Sequence, residues 1–123
     1  MIDGKKILII DDEESFVDPV IMFLEKNGAK AVWSKDGLSG LKAARSENPD
    51  LILLDLMLPG MNGFQVCRLL KFDEKYNHIP VLILSAKDSQ EDINLGMEGG
   101  CDEYITKPLD FEELIHKINK YLR

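Results

Sequence analysis

The sequence predicts a doubly wound α/β fold: a five-stranded parallel sheet with helices on both faces. Three observations lead there. Residues 7–10, 51–54 and 81–84 are apolar runs that are continuous rather than alternating, as strands covered on both faces require. More polar segments with helical spacing separate the strands, so that a βα alternation repeats five times. The chain has 123 residues, 45% of them apolar and 30% charged, which suits one soluble domain spanning 1–123.

Each element follows from its residues. The first strand is Ile-Leu-Ile-Ile at 7–10. In the segment after it, Asp18-Pro19 reads as an N-cap followed by a first helical residue, so a late or distorted start near residue 19 is expected. Phe16 and Val20 also stand at helical spacing, which leaves an earlier start with a kink as the alternative. Ala31-Val32-Trp33 is a weaker second strand with Trp33 packing at its end. Leu38, Leu41 and Ala44 keep helical spacing until Asn48-Pro49 stops the segment. Gly63 opens a third helix with Phe64, Cys67 and Leu70 on one stripe. The fourth helix, around 89–98, is the poorest, because Gly96 interrupts it at a cost of about 1 kcal/mol relative to Ala. Tyr104-Ile105-Thr106 forms a short fifth strand. The last helix is the clearest: Asp110 stands at its N-cap, Glu113 three residues on, and Phe111, Leu114, Ile115, Ile118 and Leu122 make its apolar face.

Composition narrows the function. The net charge of −7 argues against nucleic acid as a direct partner and suits a cation site if some acids converge. No apolar run approaches the ~20 residues of a membrane span, and the run at 7–10 is too short for a secretory signal. Cys67 and Cys101 lack zinc-like spacing and read as small buried hydrophobes in a reducing cytoplasm. His78 and His116 read as solvated.

In open parallel sheets the ligand site lies beyond the carboxyl ends of the strands, near the switch in strand order. The residues there are Asp11 and Asp12 after strand one, Asp55 after strand three, Ser85 after strand four, and Lys107 then Pro108 after strand five. Singly, each has a bland explanation as a helix cap or a loop charge. Together they put three carboxylates, a hydroxyl and an ammonium at one end of the sheet. Clustered carboxylates repel, and a divalent cation removes the conflict; oxygen-only ligands point to Mg²⁺. Lys107 and Ser85 would then take phosphoryl oxygens, and Asp55 can act as nucleophile to form an acyl phosphate.

The acidic pair at 11–12, the stretch Asp-Leu-Met-Leu-Pro-Gly-Met-Asn-Gly at 55–63, Ser85-Ala86 and Tyr-Ile-Thr-Lys-Pro at 104–108 resemble the receiver domain of two-component response regulators, chemotaxis regulators included. The resemblance covers the whole chain. It implies a flavodoxin-like strand order of 2-1-3-4-5, Asp55 as phosphoacceptor, and Mg²⁺ on Asp12 and Asp55, with Asp11 acting through water and the Met57 carbonyl contributing. It also implies phosphoryl binding by Ser85 and Lys107, a pocket kept open by the small Ala86, Tyr104 as the aromatic switch, and a cis bond before Pro108. The implied partners are a sensor histidine kinase or histidine phosphotransfer protein and an output protein or domain; monomer and homodimer through the fourth helix, fifth strand and fifth helix are both open. Ser85 stands where Thr is also common in the family, and Pro19 is unusual in its first helix.

Other readings fit less well. A haloacid-dehalogenase-type enzyme carries a second Asp two positions after its nucleophile, where this chain has Met57. A flavodoxin-like FMN carrier needs a phosphate-cradling loop after strand one, where Asp-Asp-Glu-Glu would repel the phosphate. A receiver-like interaction module that works without phosphorylation usually lacks an acidic or Lys position, and none is missing here. Met57 and Lys87, two residues beyond Asp55 and Ser85, are poor at orienting a hydrolytic water, so slow self-dephosphorylation is expected.

Overall fold

The computed structural model describes residues 2–87 and 89–122. Its elements run β1 (Lys6–Ile10), α1 (Glu14–Lys26), β2 (Lys30–Ser34), α2 (Gly37–Ser46), β3 (Leu51–Asp55), α3 (Gly63–Lys71), β4 (Val81–Ser85), α4 (Gln90–Glu98), β5 (Glu103–Thr106) and α5 (Phe111–Tyr121). All strand pairs are parallel and the order is β2-β1-β3-β4-β5, as expected.

The continuous apolar runs divide between two cores because successive strand residues point to opposite faces. Leu8, Ile10, Ile52, Leu54, Val81 and Ile83 pack on one face with Leu41 of α2 and Val66 and Leu70 of α3. Ile7, Ile9, Leu51, Leu53, Leu82 and Leu84 pack on the other with Val17 and Leu24 of α1 and Leu114 and Ile118 of α5. Stacking of Phe23 on Phe111, with ring centroids 4.7 Å apart, joins α1 to α5. Among the described residues no helix is long and apolar enough to cross a membrane.

The first helix corrects the expected late start. It begins at Glu14, and Pro19 lies inside it, in the second turn. Proline has no amide to give the Ser15 carbonyl, but Ser15 and Pro19 are both exposed, so water can serve that carbonyl. The burial of Val17, Val20 and Leu24 at helical spacing outweighs the local breaker signal. Asp18 is therefore no cap; the N-cap position is Glu13, whose side chain makes no capping bond. In the last helix Asp110 caps as expected, accepting from the Glu112 amide at 2.9 Å.

The weak fourth helix also has its reason. Gly96 is buried, and a Cβ there would stand 2.9 Å from Cδ2 of Tyr104. The glycine that lowers helix propensity makes room for the aromatic ring on β5. Ser89 caps this helix through the Asp92 amide.

Candidate functional site at the carboxyl end of the sheet

The strands deliver their polar residues to one rim. Asp11 follows β1, Asp55 ends β3, Ser85 ends β4 and Lys107 follows β5. β1 and β3 are neighbours at the centre, where the strand order reverses. One oxygen from each of Asp11, Asp12 and Asp55 lies within 4.8 Å of the others. Asp11 is 2% and Asp55 5% exposed, whereas Asp12 is open to solvent.

The Lys107 ammonium faces this cluster. Its Nζ is 3.0 Å from Asp11 Oδ2 and 3.8 Å from Asp55 Oδ1. The other oxygen of Asp11 accepts the Glu13 amide at 2.9 Å, which ties the entry of α1 to the site. Burial pushes the Asp55 carboxyl up to about 6; Lys107 opposes the shift, Asp11 adds to it, a hydrogen bond from the Met57 amide opposes it, and Asp12 adds to it. A buried carboxyl short of counter-charge is a group that a cation would stabilise in its charged form. The oxygen-only donor set fits a hard divalent ion such as Mg²⁺.

Ser85 is fully buried and its Oγ accepts the Lys87 amide at 3.1 Å, while its hydroxyl also faces that of Tyr104. Tyr104 donates its hydroxyl to the Lys87 carbonyl at 2.6 Å, joining β5 to the loop after Ser85. Ala86, Lys87 and Pro108 are exposed, as is the Met57 side chain. The Lys107–Pro108 bond is cis, as the resemblance implies.

Sequence reasoning missed two contacts here. The Trp33 indole donates to the Asp11 carbonyl at 2.8 Å, bracing the acidic loop from β2. The signal was an indole N–H at the end of a strand, which needs an acceptor. The Phe16 ring lies under Lys107, with Nζ 4.0 Å from its centroid. Phe16 had been legible only as a mark of helical spacing.

Residues read as bystanders behave as such. His78 and His116 are exposed. Cys67 and Cys101 are buried, and burial pushes their thiols up to about 11 and about 12, so neither is a ready nucleophile.

Comparison with known proteins agrees with this geometry. The description "Response regulator receiver domain" matches residues 7–119. The chain is 43% identical over 120 residues to the alkaline phosphatase synthesis transcriptional regulatory protein PhoP of Bacillus subtilis, covering 98% of this chain and 49% of that protein. It is 41% identical over 119 residues to the DNA-binding response regulator MtrA of Mycobacterium tuberculosis, covering 97% of this chain and 51% of that one. The chain thus spans about half the length of the curated relatives it matches. Among solved structures, the receiver domain of the Francisella response regulator 1452 superposes with a TM-score of 0.89 at 32% identity, over 97% of both chains. The BeF3-activated receiver domain of Klebsiella pneumoniae RstA gives 0.87 at 29% identity, over 96% of this chain and 98% of that one. The chain belongs to the receiver domains of two-component response regulators.

Proposed function

We propose that the chain, as a single receiver domain over 1–123, is a phosphorylation-dependent switch that takes a phosphoryl group onto Asp55. The observation that carries this reading is a buried Asp55 carboxyl beside two further carboxylates, with the Lys107 ammonium 3.8 Å away. Mg²⁺ would be held by Asp12 and Asp55 with the Met57 carbonyl, and would supply charge neutralisation for the incoming phosphoryl oxygens. Both oxygens of Asp11 are already engaged, by Glu13 and Lys107, which favours its acting through water. Asp12 is exposed and can meet the ion directly.

An Asp55 oxygen attacks phosphorus and forms an O–P bond. The P–N bond of a phosphohistidine donor breaks, and its electron pair stays on the imidazole. Lys107 and Ser85 then bind phosphoryl oxygens, by charge and by the hydroxyl proton respectively. The donor is a sensor histidine kinase or a histidine phosphotransfer protein, in the cytoplasm. Tyr104 links the loop after Ser85 to β5, so a filled site is read out on the face of α4, β5 and α5 by an output domain or protein, or by a second copy. The −7 charge makes this chain a poor nucleic-acid binder, and any contact with DNA belongs to a partner segment.

Incubation with Mg²⁺ and acetyl phosphate should add one phosphoryl mass, and Asp55→Asn should abolish it. Labelling of the Asn variant at the parent rate overturns the assignment. No labelling of the parent leaves a receiver-like interaction module instead. The acyl phosphate should also be long-lived, because neither the exposed Met57 nor Lys87 accepts a proton from water. Met57→Asn with Lys87→Glu should speed its decay about tenfold; an unchanged half-life removes these positions from the account.

A further inference from the structure

We propose that Phe16 is a positioning residue for Lys107: its aromatic face holds the ammonium beside Asp55 without neutralising it. The inference rests on the reading of Lys107 as a phosphoryl ligand. The Lys107 side chain is 12% exposed, so its charge has little water to solvate it. Asp11 takes one side of the ammonium at 3.0 Å and Asp55 lies at 3.8 Å. The Phe16 ring takes another, with its centroid at 4.0 Å, well inside the range in which a ring face attracts a cation.

The same turn of chain fixes both main contacts. Glu13 donates its amide to Asp11 and accepts the Phe16 amide at its carbonyl at 3.0 Å, so the first turn of α1 sets Asp11 and Phe16 relative to each other. Phe16 is further held in an apolar groove with Pro19, Val20, Pro108 and Phe111. Pro108 is the residue next to Lys107, so the groove also fixes the stem of that lysine.

The choice of an aromatic has a chemical consequence. A third carboxylate on this side would bind the ammonium too strongly to release it toward an arriving phosphoryl group. An aliphatic side chain would give it no electrostatic partner. A ring quadrupole attracts the cation and leaves its full charge available.

Three proteins test this: the parent, Phe16→Leu, which keeps the apolar bulk but removes the ring, and Phe16→Tyr, which keeps the ring. The first readout is the ¹H–¹³C signal of the Lys107 ε-methylene, which the ring should shift upfield. The second is the initial rate of phosphoryl uptake from acetyl phosphate at saturating Mg²⁺, with folding checked by the denaturant midpoint. In the Leu variant the upfield shift should vanish and the rate should fall about fivefold, whereas Tyr should retain both. An ε-methylene signal or a rate that is the same in the parent and the Leu variant overturns the inference. So does a Tyr variant as impaired as Leu, since that would show packing rather than the ring face at work. A parent that takes up no phosphoryl group defeats the proposed function and this inference with it, whereas a normal parent with an unaffected Leu variant defeats the inference alone.

Discussion

Two clusters of lysine and carboxylate sit on this sheet, and their stoichiometries are opposite. At the carboxyl rim, Asp11, Asp12 and Asp55 cluster, the Lys107 ammonium meets Asp11 and Asp55, and Asp55 is pushed up to about 6 by burial. On β5, one carboxylate, Glu103, meets Lys117 at 2.8 Å, Lys120 at 3.3 Å and the Tyr121 hydroxyl at 2.6 Å. Burial disfavours the charged form of Glu103 as well, but these hydrogen bonds outweigh it and bring its pKa down to about 2. The contrast separates a site from a brace. A cluster short of positive charge has capacity for a cation and a phosphoryl group, whereas a cluster rich in donors is finished and ties α5 to β5.

The largest expected effect comes from removing the Lys107 ammonium that faces the carboxylates. Lys107→Gln should slow phosphoryl uptake by about 10²-fold, the scale for deleting one preorganised donor to a developing oxyanion. The same variant should bind Mg²⁺ several-fold more tightly, because the carboxylates lose their competing positive charge. A calorimetric titration showing weaker Mg²⁺ binding would break the charge-deficit account.

A smaller effect, on stability alone, is expected at the brace. Glu103→Gln should lower stability by about 1 kcal/mol at neutral pH and leave phosphoryl uptake unchanged. Because the folded-state pKa of Glu103 is depressed from 4.5 to about 2, its contribution is complete above pH 4.5 and is lost as pH falls toward 2. Denaturation curves of the two proteins should therefore converge across that window. A stability gap that persists at pH 2 would mean the carboxylate charge is not what braces α5.

The two regions also differ in how legible they were. The rim could be read from the chain because its members end a strand or lie within two residues after one, and parallel strands bring such positions together by topology alone. The brace could not. Glu103 reaches Lys117, Lys120 and Tyr121 across the loop into α5, and that pairing depends on how the helix lies on the sheet. The same holds for Lys71, which ends α3 and donates to Asp102 at 2.9 Å and to the Asn77 and Ile79 carbonyls.

Local signals misled where tertiary packing overruled them. Asp18-Pro19 has the chemistry of a helix start, yet the apolar face of α1 buries Val17 and the helix begins at Glu14. Gly96 reads as a flaw in α4 until the Tyr104 ring is seen against it. Phe16 shows the same limit at the site: its spacing was visible, but its place under Lys107 depends on the angle at which α1 leaves the acidic loop.

The difference between the rim and the brace is tested most directly by a Mg²⁺ titration followed through residue-resolved amide NMR signals. The account predicts saturable shifts concentrated at Asp11, Asp12, Asp55 and Met57, with the amides of Glu103 and Lys117 still. Shifts centred on Glu103, or small unsaturating shifts spread evenly over all the exposed acids, would contradict it.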